Sequence, residues 1–280
     1  MITKEKSFTP AGDTELLIPG QRDHAVEFLK NLEIKDDADT RIRSAGPGVF
    51  LPTGESFGTS KVTPSDGKSA GQDTIVVPGS MDDANYTAIM RTKLLAQMGA
   101  RTAYDVNRET DKYYQKYIEI LGYCGWVQNY SKWRQYSSSS SSLEISKVLV
   151  ELLTNVLVGQ EMALLETALS VLKAGYSANE QIRLLGKDRA ADKEVNFDLG
   201  VVGTDGHGWP TFKPVFFAIS AESNTVNILF ATLKSAQTSV FYAMSGQTLD
   251  MSHYAQVKAT VEAKTEEAAK KYIENLPIAD

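Results

Sequence analysis

Asp205, His207 and Trp209 alternate through a glycine-rich stretch, Thr204-Asp205-Gly206-His207-Gly208-Trp209-Pro210, which gathers a carboxylate, an imidazole and a large ring into one short connection. In a loop at a sheet edge, this trio could hold a sugar or another small polar ligand. Asp205 would accept hydrogen bonds from hydroxyls and Trp209 would stack on the flat face. The competing reading is a plain hairpin turn with Trp209 folded over the core.

Other chemistry is thinly provided for. The histidines are His24, His207 and His253, and Cys124 is the sole cysteine. With no close histidine pair and no Cys-x-x-Cys spacing, no metal site is expected, nor any cofactor. There is no Gly-x-Ser-x-Gly elbow for a serine nucleophile and no Gly-x-x-x-x-Gly-Lys-Ser/Thr phosphate loop. Glu151, Glu161 and Glu166 lack the Glu-x-x-His partners of a di-metal bundle and are assigned to the wet face of a helix. Cys124, in the context Tyr123-Cys124-Gly125-Trp126, is expected to be a buried packing residue, with lipidation as the alternative. No catalytic residue is assigned, and the expected mode of action is binding. An enzyme whose polar groups converge only in three dimensions remains an alternative.

The richest pattern is aromatic. Tyr113, Tyr114, Tyr117, Tyr123, Trp126, Tyr130, Trp133 and Tyr136 crowd into one stretch. Spacings of three, four and three place Tyr123, Trp126, Tyr130 and Trp133 on one face if the segment is a helix. Such a stripe suits packing between elements, contact with a lipid headgroup boundary or a partner protein, or stacking on a flat ligand.

The elements expected to carry these residues are two long amphipathic helices forming a hairpin over residues 104–174. They are joined by the six serines Ser137 to Ser142, which read as an exposed, mobile tip. Gly122 and Gly125 predict a kink or break in the first arm. In the second arm, Leu143 to Ala174, residues Ile145, Val148, Leu149, Leu152, Leu153, Val156 and Leu157 make one broad apolar face that continues through Met162, Leu165, Leu169 and Leu172. Gly159 marks either a bend or a place where another helix approaches closely. Lys147, Glu151, Glu161 and Glu166 interrupt this arm, whereas a conventional membrane span needs about twenty apolar residues.

Before the hairpin, a short helix is expected from Arg22 to Leu32, then a Gly/Pro-rich stretch from Lys35 to Gly79 with edge strands near Gly48 to Leu51 and Thr74 to Val77. Asp82 or Asp83 should cap a helix ending around Gly99. After the hairpin, a capping box at Ser177 and Glu180 opens a shorter helix. Strands are expected near Phe197 to Val201, Phe212 to Ile219, Val226 to Leu233 and Ser239 to Ser245, linked too briefly for crossover helices and so antiparallel. An amphipathic helix from Met251 to Leu276 should cover the sheet, supplying a partner for Ile219, Ile228, Phe230 and Phe241.

The fold class is therefore α+β: a helical hairpin and helical layer packed with a C-terminal antiparallel meander under a terminal helix. The chain divides into an N-terminal arm (1–80), a helical region (81–191) and a sheet with its helix (192–280), all in one compact unit. A 42% hydrophobic and 23% charged composition is that of a soluble folded chain. The formal charge of −6, without lysine or arginine clusters, excludes a nucleic-acid partner. Met1 to Pro10 has no apolar core of the kind a secretory signal needs, so the expectation is a cytoplasmic protein released without a cleaved signal peptide.

In architecture alone, with no motif to carry it, this long hairpin with a loose tip on an acidic body resembles bacterial toxins and virulence factors that act on membranes. The resemblance implies a non-enzymatic protein whose partner is a lipid membrane or another protein, with oligomerisation on activation. A soluble carbohydrate- or protein-binding module using Trp209 or residues 46–79 is the second reading.

Overall fold

The computed structural model describes residues 24–34, 72–76, 78, 81–105, 109–130, 133–157, 159–178, 194–221 and 229–274. The expected strand at Gly48 to Leu51 and the loop 46–79 apart from 72–76 and 78 lie outside them. Ser177, expected to cap a new helix, lies within the helix Gln160–Ala178, and the rest of that expected helix is outside.

A mixed sheet forms the middle of the molecule. Its strands run in the order β1 (Gln72–Val76), β5 (Glu194–Thr204), β6 (Pro210–Ala221), β8 (Thr238–Leu249) and β2 (Trp126–Tyr130), with β3 (Arg134–Gln135) also on β8. The β5–β6–β8 centre is the antiparallel meander that alternating apolar residues predict, in register Phe197↔Phe217↔Tyr242. The edge strand β1 is parallel to β5. Of the strand expected at Val226 to Leu233, residues 226–228 are not described. Among the described residues there, β7 (Thr232–Lys234) pairs with β4 (Ser142–Glu144) in a separate two-stranded sheet, and β6 meets β8 directly.

Because side chains alternate along a strand, both sheet faces are apolar and both are covered. On one lie α1 (Ala25–Asn31), α2 (Asp83–Ala103), α3 (Thr110–Tyr123) and α6 (Met251–Glu274), packed with Val202, Phe212, Phe216, Ala243 and Leu249. On the other lie α4 (Ile145–Leu153) and α5 (Gln160–Ala178), over Phe197, Leu199, Val201, Val215, Phe217, Ile219 and Val240. Ile219 therefore packs with α4 and α5, not with the terminal helix as its sequence position suggests.

Local chemistry explains several boundaries. Asp82 caps α2, its Oδ1 accepting the Asn85 N–H at 2.8 Å. The helix continues past Gly99, which is no terminator. A Cβ at that position would lie 2.6 Å from Ile120 Cδ1, so the missing side chain lets α2 and α3 approach.

The paired helices of the first layer are thus α2 and α3, and the hairpin expected over 104–174 is not formed. Its first arm is α3 followed by strands. Gly125, at φ +105°, turns the chain out of the helix into β2. The second arm is α4 and α5, broken at Gly159, φ +53°, where the bend was expected. The serine run is tied at both ends. Tyr136 N–H donates to Val240 O at 2.8 Å and Ser235 N–H to Ser141 O at 3.1 Å, which makes it an exposed strand connection and not the tip of two rods.

Candidate functional site

The stripe formed by Tyr123, Trp126, Tyr130 and Trp133 is dispersed. Tyr123 ends α3 and stacks on Phe28 of α1 with ring centroids 3.7 Å apart. Trp126 and Tyr130 are on β2, and Trp133 lies beyond it, its ring 5.7 Å from Tyr114. Trp126 is 3% exposed, and its Nε1 donates to Thr92 Oγ1 at 2.9 Å across to α2. Tyr114 and Tyr117 meet Phe216 edge-on at 5.0 and 6.4 Å. Trp126 belongs to the core on this side of the sheet, and Tyr123 and Trp133 are half-buried against it.

Cys124 is completely buried between α3 and β2, and burial pushes its thiol well above the ordinary range. That environment fits the packing role and leaves no accessible nucleophile for lipidation. The turn holding it is clamped on the start of α6. Asp250 N–H donates to Gly125 O at 2.9 Å, and His253 Nε2 lies 3.1 Å from Tyr123 O. Asp250 Oδ1 in turn accepts the N–H groups of Ser252 and His253, each at 3.0 Å, capping α6.

Asp205, His207 and Trp209 do come together, at the β5–β6 turn. Asp205 Oδ1 accepts the N–H groups of His207 at 2.8 Å and Trp209 at 2.9 Å, so the carboxylate is occupied in shaping the turn. The His207 ring is exposed and lies 5.9 Å from that of Trp209, which is half-buried. Asn85 Nδ2 reaches Gly208 O at 3.3 Å and ties the turn to α2. This is the hairpin geometry of the competing reading, with an exposed imidazole beside a partly covered indole.

Two polar constructions are absent from the sequence reading. Lys93, in the middle of α2, is 1% exposed. Its Nζ lies 2.8 Å from Gln247 Oε1 and 4.1, 5.0 and 5.4 Å from the ring centroids of Phe212, Trp126 and Tyr117. Aromatic faces and an amide oxygen thus replace the water such a cation would hold. The second is Lys213 of β6, whose Nζ lies 2.9 and 2.7 Å from the two carboxylate oxygens of Glu161 in the first turn of α5. Glu161 therefore belongs to an ion pair against the sheet, not to the wet face. A side chain at Gly203 would meet that carboxylate, a close approach that no sequence pattern marks.

The α4–α5 layer differs from everything around it. Ile145, Val148, Leu149, Leu153, Leu157, Leu164, Leu165, Ala168 and Leu169 are buried against aliphatic and phenyl groups of the sheet. The outward positions Lys147, Glu151, Glu166, Thr167 and Ser170 are polar, making the pair amphipathic across its thickness. Large hydrophobics exposed among the described residues are Val127 and Val156, each at 40%, and Val156 sits in the α4–α5 turn. Among the described residues no helix is long and apolar enough to cross a membrane, and no cluster of three metal-ligating side chains occurs.

No family model matches the chain, and no curated protein matches it. Among solved structures it has weak similarity to the Evf virulence factor, with a TM-score of 0.34 and 10% identity over 75% of this chain and 80% of that one. Similarity of the same order is found to the activated Cyt2Ba monomer from Bacillus thuringiensis subsp. israelensis (TM-score 0.39, 12% identity, 65% of this chain and 98% of that one). A delta-endotoxin gives a TM-score of 0.38 at 12% identity, covering 65% of this chain and 82% of that chain.

Proposed function

We propose that this protein is a non-enzymatic, toxin-like effector that acts at a membrane by lifting α4 and α5 off the sheet and laying their apolar face on lipid. The observation that carries the reading is the α4–α5 layer itself. It is an amphipathic helix pair with a mainly aliphatic inner face, seated on one side of a sheet whose other side is covered independently.

The energetics favour exchange over simple exposure. Burying one leucine-sized side chain is worth about 1.5–3 kcal/mol, so opening this interface in water is strongly opposed. A bilayer restores the apolar environment and removes most of that opposition. The polar outer positions keep the pair at the interface, lying on the membrane and not across it. The sheet face laid bare by the same movement supplies an apolar surface for lipid or a second copy, which is where oligomerisation on activation would occur. Such a transition needs two packings separated by only a few kcal/mol in the presence of lipid.

Dye release from phosphatidylcholine vesicles, with and without anionic lipid between pH 5 and 8, tests the reading together with an environment-sensitive probe at Val156→Cys. Release accompanied by a blue shift of the probe supports it. Absence of both release and lipid association at every composition and pH would refute it.

A further inference from the structure

We propose that the Glu161–Lys213 ion pair is a latch that holds the tip of the α4–α5 pair on the sheet and sets how readily it lifts. The latch follows from geometry alone, and its consequence for activity rests on the membrane reading above.

The pair sits beside the turn that joins the two helices. The chain enters α4 at Ile145 and the described part of α5 ends at Ala178, so the 154–159 turn is the end of the helix pair farthest from both connections. Glu161 follows that turn directly, and the positive φ of Gly159 marks where the chain reverses. A contact at the tip resists lifting more effectively than one beside an attachment, because the attachments already restrain their own ends.

The sheet is also shaped to receive the carboxylate. Lys213 pairs with Val201 and Gly203 with Thr211 in the β5–β6 register, so Lys213, Val201, Gly203 and Thr211 all occupy the face that α5 covers. A Cβ at residue 203 would sit 2.7 Å from Glu161 Oε1, which means that the bare backbone of Gly203 provides the space the carboxylate occupies. The side chains of Lys213 and Glu161 are only 26% and 18% exposed, so water and salt screen the pair less than a surface contact. The N-terminal turn of α5 further favours a negative charge there.

Other polar contacts of the layer oppose lifting less. Ser146 N–H donates to Leu229 O at 2.8 Å, but beside the α4 attachment, where the chain already restrains it. Glu144 pairs with Lys147 at 3.6 Å and Lys173 at 3.9 Å, contacts that stay within β4, α4 and α5 and can persist if the helices rise together. Tyr136 donates to Glu151 Oε2 at 2.6 Å, but this contact is exposed and correspondingly weak.

Hydrogen exchange of the free protein, followed over residues 160–169, reads the latch without any membrane. Glu161→Gln should speed exchange there on the order of tenfold while α2, α3 and β6 are unchanged. Lys213→Gln should do the same, the two together should do no more than either alone, and the reversed pair Glu161→Lys/Lys213→Glu should recover most of the protection. Unchanged exchange in both single variants, or an equal rise throughout the molecule, would overturn the latch. Vesicle release is the separate arm. Faster release by Glu161→Gln supports the link to activity, whereas no release by any variant, wild type included, refutes the membrane reading while the exchange result still decides the latch.

Discussion

The two faces of the sheet are covered in different ways. On the α1–α2–α3–α6 face, polar groups are built into the packing: Lys93 on Gln247, Trp126 on Thr92, and the Asp250 N–H at the start of α6 on Gly125 O. Each ties a helix to a particular partner at a particular depth. On the α4–α5 face the interior is apolar, built of aliphatic and phenyl groups, and the Glu161–Lys213 ion pair that crosses to the sheet lies at the rim. Buried polar contacts are directional and costly to leave unmade, whereas apolar packing is content with any apolar partner. One layer is thereby specified as part of the body, and the other can exchange the sheet for a different greasy surface.

The largest effect is expected from truncating the specified layer. Trp126→Ala should cost about 4 kcal/mol, the range for emptying a buried aromatic site, and urea unfolding should show it as loss of the whole structure. Leu165→Ala, fully buried under α5, should cost about 3 kcal/mol. Its signature should be accelerated hydrogen exchange confined to α4 and α5. If Leu165→Ala instead loosened both faces equally, the distinction between them would fail.

Two smaller effects sharpen the contrast. The hydroxyl of Tyr254, buried beneath α6, has no hydrogen-bond partner among the described residues, and burial pushes its ionisation up to about 12. Tyr254→Phe should therefore stabilise the protein by about 1 kcal/mol, detectable as a raised urea midpoint.

The smallest effect concerns Tyr136, raised to about 12 chiefly by its hydrogen bond to Glu151. A folded-state value above the unfolded value, about 10, gives stability that is fully present below pH 10 and lost as pH rises through 12. Denaturation of wild type against Tyr136→Phe at pH 8 and 12 should show a slight advantage for wild type at pH 8 that is gone at pH 12. Tyr254, common to both proteins, cancels.

Much of this architecture is legible in the residues. The Asp82 cap, the alternation of β5 and β6, the terminal helix from Met251 and the bend at Gly159 all follow from local rules acting over a few positions. The aromatic stripe misled for a physical reason. Trp126 and Tyr130 are four apart, which places them on one face of a helix and equally on one face of a strand, and the glycine at 125 decides between them by taking a positive φ. The serine run suggested a free tip because composition reports solvation and not what the flanking strands pair with. Glu161 reads as a wet-face charge because its partner, Lys213, is distant in sequence, and Lys93 carries no local signal because Gln247 is equally distant. Of the binding trio, the turn was legible, but the engagement of Asp205 with its own backbone was not distinguishable from a free acceptor.

Val240 and Ala243 of β8 are three residues apart and face the two different helical layers, both buried. Val240→Cys and Ala243→Cys, each in a Cys124→Ala background, should both resist a maleimide in the free protein. On vesicles undergoing dye release, the account predicts that Cys at 240 becomes reactive while Cys at 243 stays protected. Release with both positions still protected, or with both labelled at the same rate, would contradict it.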